Sequence, residues 1–149
     1  MDKGISEPKC KAILLCDKTI IEAATGKISL IGTFTHFALK EIPGRTRTVE
    51  AFCQFTDAEG RYDLVVEIHN LQNGTVIARA TGPAIEIPNR LMRANVIIPI
   101  PSLSVGNSGA YDFVIFANGS EIDRQQFSVN VIPGRQDDDD QDLKEPDIT

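Results

Sequence analysis

Tyr62, Leu64, Val66 and Ile68 stand at alternate positions, interleaved with Asp63, Glu67 and His69. Successive side chains of an extended chain point to opposite faces, so this spacing gives a strand one dry face and one wet face. The same period of two recurs at Val49, Ala51, Cys53 and Phe55, and again at Met92, Ala94, Val96, Ile98 and Ile100. No run of comparable length follows the 3.6-residue period of an amphipathic helix. An all-β fold is the expectation.

Turn chemistry divides the remaining chain into strands of similar length. A first strand is expected over Lys11–Asp17, with a turn at Ala23–Gly26 and a second strand over 27–34. Thr19–Ala24 is too short to separate a strand end from one helical turn. His36–Arg47 reads as a long connection containing the turn-forming pair Pro43-Gly44, and Asp57–Gly60 closes a hairpin. Asn73-Gly74 and Asn118-Gly119 carry the residues of a tight type I′ turn, in which both central residues take positive φ. Ala84–Pro88 reads as a brief edge segment, and Pro99 means that its strand either ends there or lies at an edge. Pro101–Ser108 is expected as a loop before Tyr111, Phe113 and Ile115, and Phe127, Val129 and Val131 form the last strand. About eight short strands at regular spacing argue for a sandwich or a barrel.

Gly109-Ala110-Tyr111 fits the tyrosine corner that enters a late strand of immunoglobulin-like domains, and it equally fits an ordinary strand start. The fold expected is an all-β, antiparallel immunoglobulin-like β-sandwich with a disordered acidic C-terminal tail. Residues 1–9 form an N-terminal extension, 10–133 the sandwich and 134–149 the tail. The tail holds most of the charge: from Arg135 to Thr149 there are seven acids and two bases, a net of −5 within the chain's −6. The body to Gly134 therefore carries only −1, and it lacks the positive surface of a nucleic-acid binder. No apolar run approaches the roughly 20 residues needed to cross a bilayer as a helix. Met1–Pro8 lacks the apolar core and cleavage site of a signal peptide, so the cytoplasm is the expected compartment. Three cysteines, Cys10, Cys16 and Cys53, have no disulfide-scaffold spacing and are expected to be free.

Chemistry-bearing motifs are scarce. Asn73-Gly74-Thr75 and Asn118-Gly119-Ser120 match the glycosylation sequon, but turn geometry explains Asn-Gly at both places. Asp137–Asp140 with Asp142 lacks the spaced ligands and glycine of a calcium loop, and Asp57, Glu59 and Asp63 form a second acidic group without a recognisable pattern. Cys53 and His69 could be imagined as a nucleophile and base, yet alternation sends them to opposite faces. Phosphate loops and a Gly-x-Ser-x-Gly elbow are absent. Neither an enzyme, a cofactor nor a metal is expected. The candidate interaction residues are loop cations, Lys40, Arg45 and Arg47 in one connection and Arg90 and Arg93 in another. If they converge, they could grip an acidic partner or the tail itself. Reversing Arg45 and Arg47 to Glu is then expected to weaken binding while sparing stability.

Several stretches resemble a family of small, mostly bacterial proteins catalogued only as a domain of unknown function. They are Ala12–Asp17 with Ala24–Gly32, the hairpin Phe55–Tyr62, and Gly109–Phe113 with Asn118-Gly119. The resemblance spans Lys11–Ile132; it implies the sandwich and carries no catalytic residues. The expected role is a non-enzymatic binding or adaptor module for an unknown protein partner, reached through loops or by strand addition at a sheet edge. One alternative is a self-associating structural subunit, because the Lys11–Asp17 strand is apolar on both sides. Another is a calcium- or ligand-binding sandwich. Nucleic acid and membrane are not expected as partners.

Overall fold

The computed structural model describes residues 6–134, which contain eleven strands and no helix. They are β1 (Lys9–Ile21), β2 (Ile28–Phe34), β3 (His36–Leu39), β4 (Gly44–Arg45), β5 (Val49–Thr56), β6 (Gly60–Asn70), β7 (Thr75–Ile87), β8 (Ala94–Ile100), β9 (Ser104–Val105), β10 (Gly109–Ala117) and β11 (Ser120–Val131). A four-stranded sheet in the order β2-β1-β5-β8 faces a five-stranded sheet in the order β3-β11-β10-β6-β7, and β4 pairs with β9. The arrangement is an immunoglobulin-like sandwich, antiparallel except where β3 runs parallel to β11.

The alternation seen in the sequence is realised residue by residue. Val49, Ala51, Cys53 and Phe55 of β5 are buried, as are Tyr62, Leu64, Val66 and Ile68 of β6. Beside them in the same two sheets, Val96, Ile98 and Ile100 of β8 and Tyr111, Phe113 and Ile115 of β10 are buried in the same core. Each such side chain contributes roughly 1.5–3 kcal/mol on full burial, so these two neighbouring strand pairs supply much of the core.

Tyr111 makes the corner. Its hydroxyl donates to the Asn107 carbonyl at 2.6 Å, fixing the entry to β10. Burial raises the pKa of this phenol above its usual value. Tyr62 makes a similar tie at the opposite end, donating to the Ser6 carbonyl at 2.7 Å and accepting from the Glu59 amide at 3.1 Å. Tyr111→Phe is expected to cost about 1 kcal/mol, because the Asn107 carbonyl loses a short bond inside the sandwich. A chemical-denaturation midpoint unchanged from wild type would show the corner to be dispensable.

Eight of the strands are those expected, and the differences lie in what joins them. His36–Arg47 is not a plain connection: it contains β3 and β4, and Phe37, Ala38 and Leu39 are all buried, with Phe37 and Leu39 in the core between the sheets. Likewise Pro101–Ser108 contains β9, which pairs with β4. β1 runs on to Ile21, so Thr19–Ala24 begins as strand and not as a helical turn. The expected segment Ala84–Pro88 is not separate but continues the strand that starts at Thr75, bending through a register shift opposite Asp63–Val65.

The two Asn-Gly pairs also diverge. Asn118 and Gly119 both have positive φ (49° and 87°), as a type I′ hairpin requires. Asn73 does not join Gly74 (φ 74°) in that region. The turn there is a four-residue loop closed by the Gly74 amide on the Asn70 carbonyl, with Asn73 accepting from Thr75. The acidic run Asp137–Asp142 lies outside the described residues.

Candidate binding surfaces

The candidate cations fall into two groups at opposite ends of the sandwich. Lys40, Arg45 and Arg47 precede β5, whereas Arg90 and Arg93 lie between β7 and β8. Three strands separate these loops, and an odd number of crossings carries the chain from one end to the other. The distance is that of a strand of seven residues, roughly 20 Å.

Within the first group the roles differ. Arg45 is exposed and donates to the Ser102 carbonyl at 2.9 Å and to its hydroxyl at 3.2 Å. Arg47 is largely covered, its side chain 11% exposed. Its Nη2 and Nε reach Asp17 Oδ1 at 2.7 and 3.1 Å, and its guanidinium lies over the rings of Phe34 and Phe37 at 4.8 and 5.2 Å. It therefore ties β1 to the packing beneath β2 and β3. Because Arg47 is held in this way, reversing Arg45 and Arg47 together is expected to cost stability, whereas the sequence alone suggested that it would be spared. In the second group Arg93 donates to Gln54 Oε1 at 3.2 Å, beside β5.

The imagined nucleophilic pair does not form. Cys53 is fully buried in the core and burial pushes its thiol pKa well up, while His69 sits on the outer face against Glu67 at 2.8 Å. Cys10 is half-buried, its thiol pushed up to about 11 by burial and by Asp123. Asp57 and Asp63 each face a base, Lys9 at 3.7 Å and Arg61 at 3.6 Å.

Two features escaped the sequence reading. One is a charged network across the outer face of the five-stranded sheet. Arg124 on β11 grips Glu121 through two bonds of 2.7 and 2.9 Å and reaches Asp112 on β10 at 3.2 Å. Further across, Glu67 on β6 contacts both His69 and Arg79. Glu121 is held below the usual carboxylate range by Arg124, whose own pKa is raised in turn. Val114 lies in register between Glu67 and Arg124 and is completely buried. These charges lie across the middle of this face.

The other feature lies where the two sheets part. β7 is the edge of the five-stranded sheet and β8 the edge of the four-stranded one. Between them opens a cleft of about 40 Å³, floored by Val66, Ile68, Phe113 and Leu103 and walled by Ala78 and Ala80. Alanines leave it unfilled. Its volume is far below the roughly 300–1,000 Å³ of small-molecule sites, so it suits the tip of one apolar side chain. Alongside, Thr75–Thr81 offers an outer edge that no other described strand pairs with, with Arg79 as its one charge and no proline. Natural edges are usually blunted by lysine, proline or shortness. This one is open.

A larger groove, about 500 Å³, runs over Thr48–Glu50 between Asp17–Lys18 and Pro99–Pro101. Its carboxylates are engaged within the fold: Asp17 by Arg47, and Glu50 by the Thr19 amide at 2.6 Å.

Comparison with known proteins supports the fold. The alkylpurine DNA glycosylase AlkC of Pseudomonas fluorescens, solved bound to DNA containing an abasic site analogue, superposes with a TM-score of 0.51 at 10% identity. The match covers 84% of this chain and 31% of the glycosylase, so the chain spans about a third of that protein's length. An immunoglobulin-like protein of Pseudomonas aeruginosa gives a TM-score of 0.40 at 11% identity, covering 83% of this chain and 97% of that one. No curated protein matches by sequence. A family model described as a family of unknown function, DUF6941, matches residues 11–130.

Proposed function

The chain belongs to DUF6941, a family of unknown function, and we propose that it is a non-enzymatic binding module that takes up an extended peptide along β7. The open edge of β7 beside the alanine-walled cleft carries this reading. An added strand gains main-chain hydrogen bonds along the edge, and every second side chain of the peptide turns toward the sandwich. One aliphatic residue at the matching position enters the cleft over Phe113. The likeness to the glycosylase lends no DNA-binding role, because a body with a net charge of −1 cannot neutralise many phosphates.

Selection from a displayed random-peptide library tests the proposal. Peptides rich in β-branched residues around one aliphatic position are expected. Val76, half exposed on β7, is the site for a blocking lysine. Val76→Lys should weaken a selected peptide at least about tenfold while shifting folding stability by no more than about 0.5 kcal/mol. N-methylation of alternate peptide amides should do the same, since it removes the main-chain donors. Equal binding by the variant and by the methylated peptide would reject β7 as the docking edge.

A further inference from the structure

The outer faces of the two sheets are built differently. The five-stranded sheet carries charged side chains across its middle, Arg124 with Asp112 and Glu67 with Arg79, whereas the four-stranded sheet carries a row of apolar residues there. Leu14 of β1 is in register with Phe52 of β5, and Phe52 with Ile97 of β8. Leu14 is 44% exposed, and Phe52 and Ile97 are only half covered. Two residues toward one end, Cys16, Glu50 and Pro99 form the next row; two residues toward the other, Ala12, Gln54 and Asn95 form another. Arg93 joins that second row through its bond to Gln54.

We propose that this face is the interface of a two-fold dimer of the chain. The polar groups flanking the apolar row are opposite in kind: on one side the carboxylate of Glu50, which also accepts from the Thr19 amide through Oε1, and on the other the guanidinium of Arg93. A two-fold axis laid along the row Leu14–Phe52–Ile97 brings each row residue over its own copy. The same rotation turns the ends of the strands over, so Glu50 of one copy faces Gln54 and Arg93 of its partner, and the contact occurs twice. A partner of unrelated sequence has no reason to match that pattern, while a second copy matches it by symmetry. With strands about 4.8 Å apart and about 3.3 Å per residue, the face and its β1–β2 extension offer roughly 500 Å² per copy. Two copies then bury roughly 1,000 Å², the low end of specific interfaces, so the dimer is a weak one. Ile31, 49% exposed on β2 and in register with Lys18, extends the apolar surface beyond the row.

Sedimentation equilibrium of the full chain is the test. A monomer–dimer equilibrium with a Kd of about 10–100 μM is expected. Phe52→Glu, and independently the more exposed Leu14→Asp, should each raise the Kd at least about 100-fold. Arg93→Glu sets carboxylates against each other at both contacts and should raise it at least about tenfold. Adding Glu50→Lys to that variant restores opposite charges, and the Kd should return to within about threefold of wild type. Thermal melting of every variant separates loss of the dimer from loss of the fold. Val76→Lys should leave the dimer unchanged, so failure here is distinguishable from failure of peptide binding at β7. A chain monomeric to about 1 mM, a dimer indifferent to Leu14→Asp, or a double charge reversal weaker than the single one would each overturn the proposal.

Discussion

Replacing Arg47 by glutamate is expected to cost about 3 kcal/mol of folding free energy, seen as a fall in Tm of roughly 10 °C. The guanidinium is mostly covered, sits over Phe34 and Phe37 and donates two bonds to Asp17. A cation over an aromatic face contributes roughly 0.5–2 kcal/mol depending on how far it is desolvated. Its charge-assisted bonds contribute roughly 1.5–3 kcal/mol, discounted here because Asp17 is 47% exposed. Glutamate forfeits both and adds repulsion against Asp17. Arg47→Lys should fall between, since lysine keeps the charge and loses the flat fork. Arg45→Glu serves as the control from the same loop: its side chain is exposed and its bonds to Ser102 lie at the surface, so about 1 kcal/mol or less is expected. If thermal melting gave the two arginines equal costs, the cation over Phe34 and Phe37 would have no special structural role.

That contrast also marks how far the sequence could be read. Alternation in β5, β6 and β8 is visible because each strand has one buried face, so the period of two survives in the residue order. β3 is invisible for the converse reason: Phe37, Ala38 and Leu39 are all buried, and no alternation remains to be seen. β4 and β9, at two residues each, are too short to have a period at all. The separation of Lys40, Arg45 and Arg47 from Arg90 and Arg93 was recoverable in principle. Three strands lie between the two loops, and counting crossings puts them at opposite ends. The Arg124, Asp112 and Glu67 network was not recoverable, since it depends on β6, β10 and β11 being neighbours in a particular register. The same holds for the row Leu14–Phe52–Ile97, whose members are far apart in sequence and meet only across strands. The sequence did indicate that the first strand was apolar on both sides, and the structure places that strand inside a sheet with Leu14 facing outward.

Phe127→Ala should have the largest effect of the substitutions considered, about 3–5 kcal/mol. The ring is 3% exposed and joins three strands. It stacks on Tyr111 of β10 at 5.7 Å between centroids and meets Phe37 of β3 edge-on at 5.6 Å. Truncation removes the transfer energy of the ring, leaves a cavity, and forfeits two aromatic contacts of roughly 0.5–1.5 kcal/mol each. A domain of this size has about 5–15 kcal/mol in total, so the variant should fold but denature at a much lower urea concentration. The loss should also be uneven. β3 pairs with β11 over only four residues, Ser128–Val131, and Phe37 anchors it from beneath through Phe127. Backbone bonds at its two ends, from Ser128 to the Thr35 carbonyl and from Ile132 to the Leu39 carbonyl, survive the substitution but cannot replace that anchor. Hydrogen exchange should therefore rise first at Phe37–Leu39, and only later in β5 and β6, whose packing rests on Phe55 and Phe113. Exchange that increased uniformly across all strands would mean that β3 unfolds with the whole sandwich, and that Phe127 stabilises the core without specifically holding this parallel strand in place.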